Sequence, residues 1–183
     1  MKKSSYISAA VAVMCLLTAS CEKESLKSSY ANQEKFIETI VENLQKNGET
    51  TLTRNEGSVR VTVTEGEGEE LREGGAVSFY YAGYYINSGS LSNGNVFATN
   101  YDTFAESISW AVSDSSAFAI QTIDLAEDNL VEGLRNGMIG VKGGEECYVL
   151  FSGKYGFGSR IVGTIPRNSA LAYHLWIKSV SNN

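Results

Sequence analysis

Near Ser58 the hydrophobic period of this chain changes, and that change limits what it can fold into. Upstream, YANQEKFIETIVENLQKNG carries Phe36, Ile37, Ile40, Val41 and Leu44 at the three-and-four spacing of one helical face. Downstream, Val59, Val61 and Val63 alternate with Arg60, Thr62 and Thr64, the two-residue period of a half-buried strand. The helix is predicted over about residues 32–46, with Asn32 as its N-cap and Gly48 as its stop. A linker follows to residue 57. Further strands are predicted at AVSFYYAGYY, ECYVLF and ALAYHLWIKSV, with a short helix in LAEDNLVEGLRNGMIG. The Asn-Gly step of INSGSLSNGN suits a tight reversal, and the polar residues from about Tyr101 to Ser116 are expected to decorate a loop. The fold class is therefore α+β: an antiparallel sheet wrapped around a short helix, with an added N-terminal amphipathic helix.

The first twenty residues belong to a different kind of segment. Lys2 and Lys3 precede an almost unbroken apolar run from Ile7 to Leu17, and small residues follow up to Cys21. This is the three-part pattern of an export signal, with a run too short for a comfortable membrane span. Its end, LTASC, resembles the lipobox of bacterial lipoproteins. That resemblance implies lipidation of Cys21, a tether over 21–31, and a chain anchored in the bacterial cell envelope, on the periplasmic or surface face of the outer membrane. The alternative is an ordinary cleaved signal with Cys21 incidental. Cys15 leaves with the signal and Cys21 would carry the lipid, so Cys147 has no partner for an intrachain disulfide and reads as a small buried hydrophobe.

Several chemistries are excluded by what the chain lacks. Fifteen Lys and Arg against 21 Asp and Glu give a net charge of −6 with no basic cluster, which argues against nucleic acid as a partner. A single histidine, His174, excludes a multi-histidine metal site, and neither a G-x-S-x-G elbow nor a P-loop is present. Glu69–Glu70 and Glu145–Glu146 read as solvated edges. No cofactor and no metal are expected, so any catalysis must use an apolar pocket.

An ordered series of short motifs supplies one. Tyr81-Ala82-Gly83, then Gly94 and Phe97, then Leu130-Val131-Glu132-Gly133-Leu134 with Gly137-Met138 occur in sequence. Val141-Lys142-Gly143-Gly144-Glu145, Tyr155-Gly156-Phe157-Gly158, and Gly163-Thr164-Ile165-Pro166 with Leu171 and Tyr173 complete it. Each is weak alone. Together, over about Ser58 to Val180, they resemble the FKBP-type peptidyl-prolyl isomerases, so residues 58–183 are expected to form an FKBP-like domain. The sole proline of the chain, Pro166, is similar to the one that ends the loop overhanging that family's pocket.

The resemblance implies isomerisation of X-Pro bonds in proline-containing polypeptides. No covalent bond breaks, so no reactive side chain is required. An apolar pocket that strips water from the twisted amide favours it over the planar ground state. Carried over residue by residue, the catalytic positions are Tyr81, Phe97, Val131, Phe157 and Tyr173, with the Val131 N–H as substrate donor. Phe118, Leu130, Leu134 and Ile165 complete the wall. The alternative for these apolar residues is plain core. Three positions depart from the active members: Ala98 replaces an aspartate, Phe157 lacks a tyrosine hydroxyl, and Leu134 replaces a tryptophan. Each lost substrate hydrogen bond costs about 0.5–1.5 kcal/mol, so weakened turnover is expected. The segment from Phe97 to Phe118 is longer than in compact relatives and is read as a shield for the pocket or a surface for a partner.

Strand parity adds one more expectation. With Leu171, Tyr173, Leu175 and Ile177 facing the core, Ala172, His174 and Trp176 face outward beside Tyr80 and Tyr148. The N-terminal helix is predicted to dock its Phe36/Ile40/Leu44 stripe on that Trp–Tyr patch. The oligomeric state is not specified by the sequence.

Overall fold

A computed structural model describes residues 4–46, 48–111 and 115–182, with side chains from Lys23 onward except Ser115. The side chains of the predicted export signal, 1–20, and of Cys21 lie outside the described residues.

Among the described residues, one antiparallel sheet is built from β1 (Thr51–Asn55), β2 (Ser58–Thr64), β3 (Ala76–Ile86), β4 (Val96–Thr99), β5 (Gln121–Asp124), β6 (Glu146–Phe151) and β7 (Ala170–Ser181). Its order is β1-β2-β6-β7-β3-β4, and β5 also pairs with β3. β4 and β5 lie end to end along one edge of the long β3, opposite Ala82–Tyr84 and Ala76–Phe79 respectively. Three helices accompany the sheet: α1 (Ser4–Lys46), α2 (Asp102–Ser107) and α3 (Glu132–Met138).

α1 is longer than the 32–46 helix read from the apolar stripe. It runs back through the 21–31 segment, and Asn32 lies inside it rather than capping it. No Gly or Pro interrupts Ser4–Lys46, so nothing in the local chemistry stops the helix before Gly48. The segment read as linker contains β1. This strand is short and exposed and carries no apolar alternation, and Glu56 (φ 40) and Gly57 (φ 84) join it to β2. Both turn residues have positive φ, as the right-handed twist of a two-residue hairpin requires.

β2 is covered on both faces, not half-exposed. Val59 and Val61 face the α1 side, whereas Ser58, Arg60 and Thr62 are buried on the other, under α3. Glu145 corrects the reading of a solvated carboxylate pair. It is 3% exposed, its Oε1 lies 3.3 Å from Arg60 Nε, and it accepts from Thr62 Oγ1 at 2.9 Å and from the Lys142 N–H at 3.0 Å. Its neighbour Glu146 accepts from His174 Nε2 at 2.8 Å.

β7 alternates as parity requires. Leu171, Tyr173, Leu175 and Ile177 join the core cluster on the α3 side with Val77, Phe79, Cys147, Val149 and Phe151. Ala170 and Ala172 join a second cluster with Ala82, Tyr84, Leu150 and the α1 residues Ile37, Ile40 and Val41. α1 therefore docks on the outer face, but its buried line is Ile37/Ile40/Val41, with Phe36 and Leu44 only partly buried.

The docking site needs a second correction. Ala82, Ala170 and Ala172 leave room for a helix, whereas the bulky Trp176 end takes aromatic partners from the segment after β4. Tyr101 lies 4.5 Å from the Trp176 ring centroid and stacks on Tyr80 at 5.3 Å, and Phe104 of α2 lies 5.9 Å from Trp176. His174 sits between Tyr148 (4.0 Å) and Trp176 (3.8 Å) and is only 7% exposed. The long 98–117 segment thus turns α2 onto the outer face, where an aromatic row gives it purchase.

Candidate functional site

α3 crosses the inner face because two glycines let it approach. A Cβ at Gly133 would collide with the Phe151 ring, and one at Gly137 with Val149. The helix is then held by side chains from β2. Ser58 Oγ donates to the Gly133 carbonyl, and Arg60 Nη1 donates to the carbonyls of Gly137 (3.1 Å) and Ile139 (2.7 Å). A guanidinium at a helix C-terminus satisfies carbonyls that have no partner within the helix and matches its negative end. Glu145 neutralises that buried charge from below.

Beyond the N-terminus of α3 lies a cavity of about 150 Å³ lined by Phe79, Tyr81, Phe97, Gln121, Leu130, Leu134 and Tyr173. Five of the nine expected site residues are here. Its rings hold one another: Phe97 meets Tyr173 edge-on at 5.7 Å, and Tyr81 lies 6.1 Å from Tyr173. Gly83 makes this possible, since a Cβ there would collide with the Phe97 ring. The cavity is smaller than the ~300–1,000 Å³ typical of drug-sized ligands, so it has room for about one side-chain ring.

Tyr81 sits where the edge of β3 has no strand partner, because β4 has ended and β5 has not begun. Asn100 fills the gap. Its Oδ1 accepts from the Tyr81 N–H at 2.6 Å, while its Nδ2 donates to the carbonyls of Ala119 (3.0 Å) and Phe79 (3.4 Å). Thr99 Oγ1 donates to the Tyr81 carbonyl at 2.7 Å. Neither residue stands out in the sequence, where Asn100 borders the polar stretch that reads as loop. Burial raises the pKa of both Tyr81 and Tyr173, so the two hydroxyls remain protonated donors at neutral pH.

Val131 is the N-cap of α3 (φ −63°, ψ 139°) and packs against the same core cluster. Among the described residues, no backbone carbonyl takes its N–H, whereas its carbonyl accepts from Leu134 and Arg135. Phe157 and Ile165 come from the loop between β6 and β7 and also pack on this cluster. The guanidinium of Arg160 stands 5.9 Å from the Phe157 ring centroid. Phe118 is half-buried in a 3-10 turn (Ser115–Phe118) before β5, and is not among the residues lining the cavity. Ala98 lies in β4 opposite Gly83. Among the described residues, none from 98–117 lines the cavity.

Two other features are chemically quieter. Cys147 is fully buried and outside any disulfide, and burial, then Glu145, pushes its thiol pKa well up. A larger open groove beside Glu70, Arg72, Glu73 and Lys142 is lined mainly by charged side chains and has no ring-lined wall.

Comparison with known proteins agrees with this geometry. Residues 67–178, more than half of the chain, match the family described as FKBP-type peptidyl-prolyl cis-trans isomerase. No curated protein sequence matches at a significant level. Among solved structures, the peptidyl-prolyl cis-trans isomerase from Pseudomonas syringae pv. tomato is similar with a TM-score of 0.57 at 13% identity, covering 85% of this chain and 96% of its own. FkpA from Escherichia coli gives 0.54 at 19% identity, covering 98% of this chain and 74% of that one. The N-terminal domain of FKBP42 from Arabidopsis thaliana gives 0.54 at 16% identity, covering 74% and 95%. These likenesses establish the fold, and the match over residues 67–178 establishes the family: the chain belongs to the FKBP-type peptidyl-prolyl cis-trans isomerases.

Proposed function

We propose that the protein isomerises X-Pro bonds of exported polypeptides in the 150 Å³ cavity, with weakened turnover, while anchored to the envelope by lipid on Cys21. The observation that carries this reading is an aromatic cavity of one-ring size beside a backbone N–H at Val131 that has no protein acceptor among the described residues. A proline ring seated between Phe97, Tyr81 and Tyr173 brings its amide out of water, and the Val131 N–H fixes an adjoining carbonyl. The barrier to turning the amide is roughly 18–20 kcal/mol, set by conjugation that is lost on twisting. A dry, apolar wall stabilises the twisted form relative to the planar, more polar one. Weakened turnover rests on Ala98 and Phe157, which supply no polar group where active relatives have one.

A second reading, a binding module that keeps the cavity without turnover, draws on the same two residues. One experiment separates them. X-Pro isomerisation of a short peptide is followed with the chain from Glu22 onward, beside Val131→Pro and the double variant Ala98→Asp/Phe157→Tyr. The φ of Val131 already suits proline, so Val131→Pro removes the N–H with little change of backbone. The isomerase reading expects acceleration by the unmodified chain and a loss of about tenfold in kcat/KM for Val131→Pro. Activity only in the double variant supports the binding module instead.

A further inference from the structure

The loop between β6 and β7 is tied to the N-terminal helix at both of its stems. Gln33 of α1 accepts from the Gly153 N–H through Oε1 at 2.8 Å and donates to the Asn168 carbonyl through Nε2 at 2.6 Å. One helical turn earlier, Tyr30 donates to Asn168 Oδ1 at 3.3 Å. Residues 154–167 run between these stems and carry Phe157 and Ile165 to the core cluster that also holds Phe79, Leu134 and Tyr173 of the cavity wall. The stems themselves close tightly. Asn168 N–H donates to the Gly158 carbonyl at 2.6 Å, and a Cβ at Gly153 would collide with the Asn168 carbonyl. Asn168 also has a left-handed backbone (φ 54), which local contacts must hold.

Gln33 is suited to this by chemistry and by place. A primary amide carries a donor and an acceptor on one planar group, so it can bond an N–H and a carbonyl together. It lies at the helical spacing of Ile37, Ile40 and Leu44, on the face that α1 turns to the sheet. The buried apolar line thus gives way to a half-buried amide at the point where the helix passes the loop.

We propose that Gln33 is a positioning residue for the cavity: docking of α1 fixes the loop 154–167 chiefly through this amide, and so sets Phe157 and Ile165 against the core cluster that walls the cavity. The proposal rests on the X-Pro reading of the cavity for its kinetic consequence, but not for its structural one. Phe157 and Ile165 support that wall whether the amide is planar or twisted, so a misplaced loop weakens binding more than it slows turnover.

The test compares Gln33→Ala, Gln33→Glu and, as a control on the same helix, Glu38→Gln in the full chain. Amide exchange is read at Val162, Ile165 and Asn168, whose N–H groups are bonded within the loop. Gln33→Ala is expected to speed exchange there about tenfold, leaving β3, β7 and residues 37–41 as in the control. Gln33→Glu keeps an acceptor for Gly153 but cannot donate to Asn168, so its effect at Asn168 should exceed its effect at Gly153. In the X-Pro assay, Gln33→Ala raises KM about tenfold with kcat within about twofold. Unchanged loop exchange overturns the proposal, as does equal acceleration at residues 37–41, which would mean that α1 had simply come loose. Faster loop exchange with an unchanged KM overturns the link to the cavity. If the unmodified chain has no activity, the exchange result still decides the positioning role, and peptide affinity replaces KM.

Discussion

The two faces of the sheet are built on opposite principles. The outer face is filled: small residues Ala82, Ala170 and Ala172 admit α1, whose Ile37, Ile40 and Val41 are 0–2% exposed, and the aromatic row is sealed by Tyr101 and Phe104. The inner face is pinned by polar bonds. α3 lies close against it at Gly133 and Gly137, is held there by Ser58 and Arg60 with the buried carboxylate of Glu145 behind them, and rings at its far end leave a cavity. Close packing maximises dispersion and leaves no room for a ligand. A helix pinned near its C-terminal end by polar bonds of fixed geometry leaves the ring-lined space at its other end unfilled.

Breaking the polar pins on α3 should have the largest effect. Arg60→Ala removes the cation beside Glu145 and two donors to the end of α3, leaving a buried charge unpaired. A loss of about 3–5 kcal/mol is expected in urea unfolding, with peptide binding weakened as α3 shifts. A smaller loss for Arg60→Met/Glu145→Leu than for Arg60→Ala would locate the cost in the orphaned charge. A loss below about 1 kcal/mol for Arg60→Ala would mean that α3 is held by packing alone and would erase the contrast between the faces.

On the filled side, Ile37→Ala should cost about 2–4 kcal/mol, the transfer and cavity terms for a buried aliphatic side chain. The cavity residues Tyr81, Phe97 and Tyr173 belong to the core cluster on the other side of the sheet from Ile37, so the aromatic signals of the cavity should keep their positions in an NMR spectrum of the folded variant. Movement of those signals would mean that the two faces are coupled through the sheet and not only through the loop stems.

How much of this was legible in the chain differs between the faces too. The family motifs reached Tyr81, Phe97, Leu130, Leu134 and Tyr173, because apolar residues at fixed places in strands keep their order in the sequence. Alternation along β7 assigned both of its faces, and the stripe on α1 required a docking surface. The polar machinery stayed hidden. Arg60 and Thr62 alternate with valines and so look solvent-facing, although α3 covers them. Glu145 follows two glycines and reads as turn. Asn100 acts only because β4 and β5 leave a gap on β3, and such a gap exists in topology rather than in local pattern. The docking error on α1 has a similar source, since periodicity identifies a face but not which part of it has room for a helix.

The smallest effect concerns the seam where the filled face meets solvent. His174 is stacked between Tyr148 and Trp176, and its other neighbour is the Glu146 carboxylate. A carboxylate can only accept, so His174 Nε2 carries a proton and donates to it. Burial lowers the His174 pKa below 6.5 despite the opposing pull of Glu146. The unfolded chain therefore binds a proton at His174 before the folded chain does, and stability falls as pH drops below about 6.5 towards the folded value. Glu146 acts at lower pH in the same sense. The hydrogen bond from His174 lowers its pKa, so the stability it contributes is present above the ordinary carboxylate range and is lost as pH falls through its folded value. The urea midpoint should thus decline from about pH 7 down through the carboxylate range, and His174→Gln should flatten the upper part of that decline while leaving the lower part, which belongs to Glu146. An unchanged slope in His174→Gln would place the acid sensitivity elsewhere and leave this seam as inert as the rest of the filled face.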